Sequence, residues 1–357
     1  MAVLIEIYNV MKNRILIRLS TTLFCGILVA GMFFSACTKQ ADDTESQSGD
    51  DIPIEYGDDN SASMTGIYFD TVISIKIYGD KKEELLKGAF NICKEMENVM
   101  SADSSESELY QVNHRSENTV HISEELAECI KAGLYYSKIS DGAFDITILP
   151  VRQLWNFKED DHKGTVPDAA EIKEKLQAVG YEKVHLDGQE LSFDDDNTMI
   201  DLGGIAKGYI SSKLKAYLKN AGCTSAMINL GGNVSSLGTK PNGNNWVVGI
   251  QKPFDMRGEI LTTVESKDNA VISSGIYERY FEADGKIYHH ILDPRTGYPV
   301  DTNYNEVTVV GSDDTACDAL ATIGISLGEE GMRSLVEENG LDVEVMFTDR
   351  ENEFHWM

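Results

Sequence analysis

Residues 200–222 read IDLGGIAKGYISSKLKAYLKNAG. The stretch predicts a strand tip, a double-glycine turn at Gly203-Gly204 and an amphipathic helix. Glycines without a Cβ let backbone N–H groups approach a ligand closely. A helix N-terminus adds unpaired donors and the positive end of the helix dipole. Asp201 and Lys207 flank the turn with charges of both signs. The combination suits a phosphate-bearing ligand, although such a corner also occurs as plain architecture and gains meaning only from its context.

Working outward, residues 65–79 alternate with the period-two pattern of a strand, and residues 81–101 carry the helical stripe Leu86, Phe90, Cys93, Met96 and Met100. Ser123 is placed to cap a helix bearing Leu126, Ile130 and Leu134, and Asp168 with Glu171 forms a capping box for a helix stopped at Gly180. Hairpins are expected at Asp187-Gly188 and Asp284-Gly285. Short strands follow the glycine corner, and the last third gives a strand, a helix through 314–327, a helix near EGMRSLVEEN and a final strand. Helices and hairpins mix without regular βαβ alternation, which predicts an α+β fold with mixed sheets.

The chain has 357 residues, a formal net charge of -28 and 42% hydrophobic residues, enough to bury a large core. The acidity opposes nucleic acid and electrostatic attachment to anionic lipid. Lys12, Arg14 and Arg18 precede an apolar run that ends Phe34-Ser35-Ala36-Cys37, the pattern of a lipoprotein signal. Residues 1–37 are therefore expected to be a signal peptide ending at Cys37, cleaved and diacylated, with Met11 a more typical signal start than Met1. An ordinary signal peptide or an uncleaved anchor is the alternative. Residues 38–63 are polar and acidic and are expected to form a disordered tether. The folded domain is expected over 64–357. Cys93, Cys129, Cys223 and Cys317 show neither CxxC nor metal-type spacing.

In DDTACDALATIGISLG, residues 313–328, Asp314, Asp318 and Thr322 recur at i, i+4 and share one helix face. That face is expected to be polar, opposite the core-facing Ala319, Leu320, Ile323 and Leu327, so Asp318 is expected to be dispensable for folding. A carboxylate and a hydroxyl stacked this way offer hard oxygen ligands of the kind magnesium takes. They equally suit a capped helix with a solvated aspartate. In YHHILDPRTGYPVDT, residues 288–302, alternation sends His289 and His290 to opposite faces of a strand. One of them can face a site and take a proton. Ser273, Ser274 and Gly275 with Tyr277-Glu278-Arg279, and the corner Gly231-Gly232-Asn233, are assigned only to the site wall.

These blocks, together with DGAFDITILPVRQLWNF at 141–157, stand in an order that resembles the FAD:protein FMN transferases, the ApbE flavin-trafficking lipoproteins of bacteria. The resemblance runs from about Met64 to the last strand. It implies an ApbE-like, two-lobed single catalytic unit. It implies Mg²⁺ held by Asp318, Thr322 and the Gly204 carbonyl, and His290 as the catalytic base. It further implies FAD contacts at Ala143, Phe144, Asp145, Asp201, Lys207 and His289, with Met64 near the adenine end. Asp103 stands where the family often places a ring that packs on the flavin, and Tyr110 is a candidate substitute. The implied reaction moves FMN from FAD, as substrate, to a threonine hydroxyl of an acceptor flavoprotein with a Ser/Thr-Gly-Ala-Thr motif, releasing AMP. The implied place is export, with a lipid anchor on the outer face of the cytoplasmic membrane or the periplasmic side of the envelope. A Mg²⁺-dependent FAD pyrophosphatase and a non-catalytic lipid-anchored flavin binder are the alternatives. The acceptor motif is absent from this chain, so self-flavinylation is not expected.

Overall fold

Alternating apolar residues close the first hairpin. A computed structural model of the protein describes residues 52–155, 157 and 164–357; the expected signal peptide with Cys37, and residues 38–51 of the expected tether, lie outside the described residues. The strands are β1 (Ile54–Tyr56), β2 (Ser61–Tyr68), β3 (Thr71–Tyr78), β4 (Thr119–His121), β5 (Val184–Asp187), β6 (Glu190–Phe193), β7 (Ser225–Leu230) and β8 (Asn233–Gly238). They continue as β9 (Trp246–Gln251), β10 (Ile260–Ser266), β11 (Ala270–Gly275), β12 (Tyr280–Ala283), β13 (Lys286–His289), β14 (Tyr304–Gly311), β15 (Val343–Asp349) and β16 (Phe354–Trp356).

Two expectations change here. The period-two run at 65–79 is not one strand but part of the β2–β3 hairpin, which turns at Phe69-Asp70 with φ 55° and 56°. Two consecutive left-handed residues match the twist of a tight hairpin, but neither is the Gly or Asn that usually signals one. The tether expected to reach residue 63 also ends earlier. Ile52 is buried in the core, and β1 pairs antiparallel with β2 from Ile54. Acidic composition argued for disorder, but sheet pairing and one buried isoleucine outweigh it.

A nine-stranded sheet runs β1-β2-β3-β7-β8-β11-β14-β15-β16, with antiparallel neighbours. Four long helices accompany it: α1 (Lys82–Met100), α2 (Glu124–Ile139), α3 (Ala206–Asn220) and α4 (Asp314–Asn339). Their apolar stripes fill the main core, where Leu86, Phe90, Cys93 and Met100 of α1 are buried as the spacing predicts. Ser123 caps α2 by accepting the Leu126 N–H. α4 holds both expected helices, broken at Gly328, where φ is 66°. The opposite face of the sheet is covered by the β9–β10 ribbon through Val248, Ile250, Val271, Val310 and Met346. A third cluster of Val151, Trp155, Ile172, Phe281 and Leu292 ties the β12–β13 hairpin to residues 148–179. The described residues all belong to one compact unit of the α+β class. All four cysteines of the folded part are buried and free. No helix among the described residues is long and apolar enough to cross a membrane.

Glu306 of β14 is fully buried in this sheet. It accepts the Tyr277 hydroxyl and the Thr308 Oγ1, the latter at 3.2 Å, and no cation pairs with it among the described residues. Desolvation pushes its carboxyl up to about 7. A carboxyl whose pKa rises on folding binds more protons in the native state than in the unfolded one. Its contribution is complete below the unfolded pKa and is lost as pH rises through the folded one. Urea unfolding at pH 4.5 and pH 7.5 should therefore show the wild type losing about 2–3 kcal/mol more than Glu306→Gln over that interval.

Candidate active site

The glycine corner enters α3, and α4 lies against it. The two helices meet at Gly208, where a Cβ would stand 2.3 Å from the Asp314 carbonyl oxygen and 2.6 Å from the Asp318 Cβ. Only a residue without a side chain permits this crossing. A ladder of polar contacts runs along the seam. Asp318 Oδ2 accepts the Gly208 N–H at 2.8 Å, Asp314 Oδ1 accepts the Ser211 hydroxyl at 3.0 Å, and Asp314 Oδ2 pairs with Lys215.

Asp318 is thus the cap of a helix other than its own. Its residue is only 2% exposed, which corrects the expectation of a polar, solvent-facing side: the i, i+4 face of Asp314 and Asp318 is the one pressed against α3. Oδ1 of the same carboxylate accepts Asn233 Nδ2 at 2.7 Å and lies 3.7 Å from Lys207 Nζ. Gly208 is the third residue of α3, after the cap residue Ile205, so its N–H is one of the first-turn donors with no acceptor inside the helix. Tyr209 closes the first turn on the Ile205 carbonyl, and Gly208 bonds to Asp318. Among the described residues no backbone N–H bonds to the Gly204 carbonyl, which precedes the cap.

Thr322, one turn beyond Asp318, brings Oγ1 to 3.6 Å from the place a Gly204 Cβ would take and to 3.2 Å from Ser274 Oγ. Asp318, Thr322 and Gly204, which the resemblance joins although they lie in two distant motifs, are therefore neighbours. The set offers a buried carboxylate, two hydroxyls and a carbonyl without a backbone partner, all hard oxygens, with the Lys207 ammonium 3.7 Å from the carboxylate. That donor chemistry fits Mg²⁺. Among the described residues no group of three or more His, Cys, Asp or Glu side chains forms a metal cluster, so the fit rests on this mixed oxygen set.

The other expected residues divide. Phe144 packs its ring edge on Gly204, with Cε2 2.8 Å from a hypothetical Cβ, and so walls the corner. Ala143 is buried beside it. Asp145 is buried and its carboxylate is committed locally, accepting the Thr147 N–H and hydroxyl and the Tyr181 N–H at 2.6–2.9 Å. Met64 has no exposed surface and is a core side chain of β2. Asp201 Oδ1 accepts the Gly203 N–H at 2.9 Å, so that amide, expected to face a ligand, is already engaged. Lys207 Nζ reaches the Gly203 carbonyl at 3.5 Å. Tyr110 stacks on His114 with centroids 3.9 Å apart, and Asp103 bonds to Arg152.

The two histidines do part as alternation predicts. His289 is buried, its Nε2 3.1 Å from the Val300 carbonyl, and desolvation holds its pKa down to about 4. His290, just past β13, is half-buried, with Nδ1 3.2 Å from the Arg279 carbonyl. A carbonyl only accepts, so Nδ1 carries the proton and Nε2 is left as the basic nitrogen. Desolvation, followed by the charges of neighbouring groups, pushes the His290 pKa below its ordinary value. Lys207 is among those charges, which places His290 within electrostatic reach of the corner.

Sequence reasoning missed Gly208 and Arg152 as site residues, and it placed Asn233 in the site wall without foreseeing its bond to Asp318. Gly208 did carry a signal, since a glycine inside a helix costs stability and invites a packing reason. Arg152 carried none, and neither did the Asn233–Asp318 bond, because the partners lie 49 and 85 residues away in the chain.

The profile of the ApbE family matches residues 69–347. Among curated proteins, an FAD:protein FMN transferase of Klebsiella pneumoniae is 34% identical over 80% of this chain and 89% of its own length. One of Treponema pallidum is 30% identical over 81% and 85%. Among solved structures, the ApbE protein of Thermotoga maritima superposes with a TM-score of 0.74 at 29% identity, covering 82% of this chain and 96% of that one. The flavin transferase ApbE of Vibrio cholerae gives 0.73 at 27%, covering 85% and 97%.

Replacing Asp318 by Ala strips the Gly208 N–H and the Asn233 amide of their buried acceptor. The variant should lose about 2–4 kcal/mol in a denaturant titration, whereas a solvated aspartate would cost almost nothing.

Proposed function

The chain belongs to the ApbE family, and from that premise we propose that it is an FAD:protein FMN transferase. The observation that carries the reading is the meeting of the Gly204 carbonyl, Asp318, Thr322 and Lys207 at one helix corner, with the Lys207 charge felt at His290. We propose that Asp318, Thr322 and Gly204 hold Mg²⁺, with Ser274 supporting Thr322. Bound there, the ion neutralises charge on the diphosphate of FAD.

The residues of the chain divide the remaining work. Lys207 adds a fixed positive charge beside the bridge that breaks, in a setting that needs no reorganisation. Phe144 and the buried carboxylate cap keep the corner rigid and exclude water. His290 accepts a proton at Nε2 from the threonine hydroxyl of the acceptor. That oxygen bonds to the phosphorus of the FMN half, the bridging P–O bond breaks, and AMP leaves with the bridging oxygen. Because burial keeps His290 neutral, its basic form is present at pH 7. We also place the mature protein outside the cytoplasm, lipid-anchored at Cys37, where it meets its acceptor flavoprotein; the charged and apolar run before Cys37 supports this.

The test is incubation with FAD, Mg²⁺ and a peptide or domain carrying the acceptor threonine. Covalent flavin fluorescence on the acceptor with one AMP per label is expected, and chelator should abolish both. AMP without label would mean that water is the acceptor, and FAD bound but unchanged would overturn the transferase reading. His290→Ala should bind FAD yet lose about 10²–10⁴ in transfer rate. Since desolvation depresses the His290 pKa, kcat/KM should show no acid inflection at pH 6.5, only below it.

A further inference from the structure

Arg152 follows Leu149–Val151 in a short helical turn and points its guanidinium at the glycine corner. Nε lies 2.6 Å from Asp201 Oδ2, and Nη2 donates to Asp103 Oδ1 at 3.1 Å. Asp70, at the β2–β3 turn, also acts on it electrostatically. Two carboxylates from separate segments thus share one guanidinium, with Asp70 adding a weaker charge effect. Their side chains are unequally sheltered: Asp201 is 13% exposed, Arg152 26% and Asp103 47%. Asp201 is held by this pair while its other oxygen caps the Gly203 N–H, so Arg152 acts directly on the residue that shapes the corner.

The charge balance is unfavourable to an anionic ligand. Asp103 and Asp201 pair with Arg152 and Asp318 lies near Lys207, on a chain whose formal net charge is -28. A dinucleotide brings two further negative charges. Without Arg152, Asp201 and Asp103 would each lose a guanidinium 2.6–3.1 Å away, and the corner would carry one positive charge fewer against the dinucleotide.

We propose that Arg152 is a positioning residue for substrate: by clamping Asp201 and cancelling the charge of Asp201 and Asp103, it lets the glycine corner receive a diphosphate dianion. The inference rests on the FAD reading above. It assigns Arg152 no contact with the reacting atoms.

The experiment measures FAD affinity by flavin fluorescence quenching for the wild type, Arg152→Met, Arg152→Lys, Asp103→Asn and the double variant Arg152→Met/Asp103→Asn. Arg152→Met should weaken FAD binding about tenfold at low salt, and less at high salt, as expected for the loss of one nearby charge. Arg152→Lys should recover most of that loss. Asp103→Asn, on an exposed loop, should bind FAD a few-fold tighter than wild type, and in the Arg152→Met background it should recover part of the lost affinity. A merely structural arginine would not be rescued by deleting a carboxylate. Unchanged affinity in Arg152→Met, or no gain from Asp103→Asn in either background, would overturn the proposal. A wild type that binds no FAD would instead overturn the functional reading on which it rests.

Discussion

A buried carboxylate is tolerable only when its charge is answered by hydrogen bonds or a cation. Asp318 meets that condition by reaching across a helix–helix seam to the Gly208 N–H and to Asn233, at 2.8 and 2.7 Å. Everything at the corner follows from that choice. The two helices must approach closely enough for the bond to form, so position 208 excludes a side chain. A first-turn amide of α3 that has no acceptor in its own helix finds one in Asp318, and the Gly204 carbonyl just before the cap takes no backbone N–H among the described residues. Asp314 repeats the pairing one turn earlier through Ser211 and Lys215 and fixes the rotation of α4. That rotation delivers Thr322 to the corner.

The catalytic side of the site is built by a different device. His290 leaves the β12–β13 hairpin next to the Asp293–Gly297 turn, where Asp293 accepts from the Arg295 N–H and guanidinium and its carbonyl takes the Gly297 N–H. Trp155 Nε1 donates to the Gly297 carbonyl at 2.9 Å and locks this turn to the segment that also bears Arg152. His289 is anchored to the Val300 carbonyl, and its neighbour is thereby presented with a defined tautomer. The arrangement supplies a neutral imidazole oriented by a backbone carbonyl, with no carboxylate partner among the described residues.

Electrostatics link the two halves. A strongly acidic chain must receive an acidic ligand, and it concentrates Lys207 and Arg152 at the corner while pairing each with a carboxylate. The carboxylates keep the cations in place, and the cations make the carboxylates harmless to an incoming anion.

Local chemistry settled much of this in the sequence itself. The stripe of α1, the Ser123 cap, the Asp284-Gly285 hairpin, the β5–β6 hairpin (which turns at Gly188-Gln189, one residue later than the expected Asp187-Gly188) and the double-glycine turn depend on residues a few positions apart, and periodicity and turn composition report such relations directly. The i, i+4 spacing of Asp314, Asp318 and Thr322 was equally legible, as was the division of His289 from His290. The side of α4 that faces inward was not. A run with aspartates on one face and leucines on another suggests solvent for the aspartates, and only a second helix with a glycine at the crossing reverses that. The β2–β3 turn and the early end of the tether were hidden for the same reason, since sheet neighbours overrode local composition. The engagement of Asp201 with Arg152, and of Asp145 with Thr147 and Tyr181, likewise needed the folded chain. Residue types and short spacings determine what chemistry a segment can offer. Which hydrogen-bond partner each buried charge finds is decided by contacts between segments far apart in the chain, and those exist only once the helices have packed.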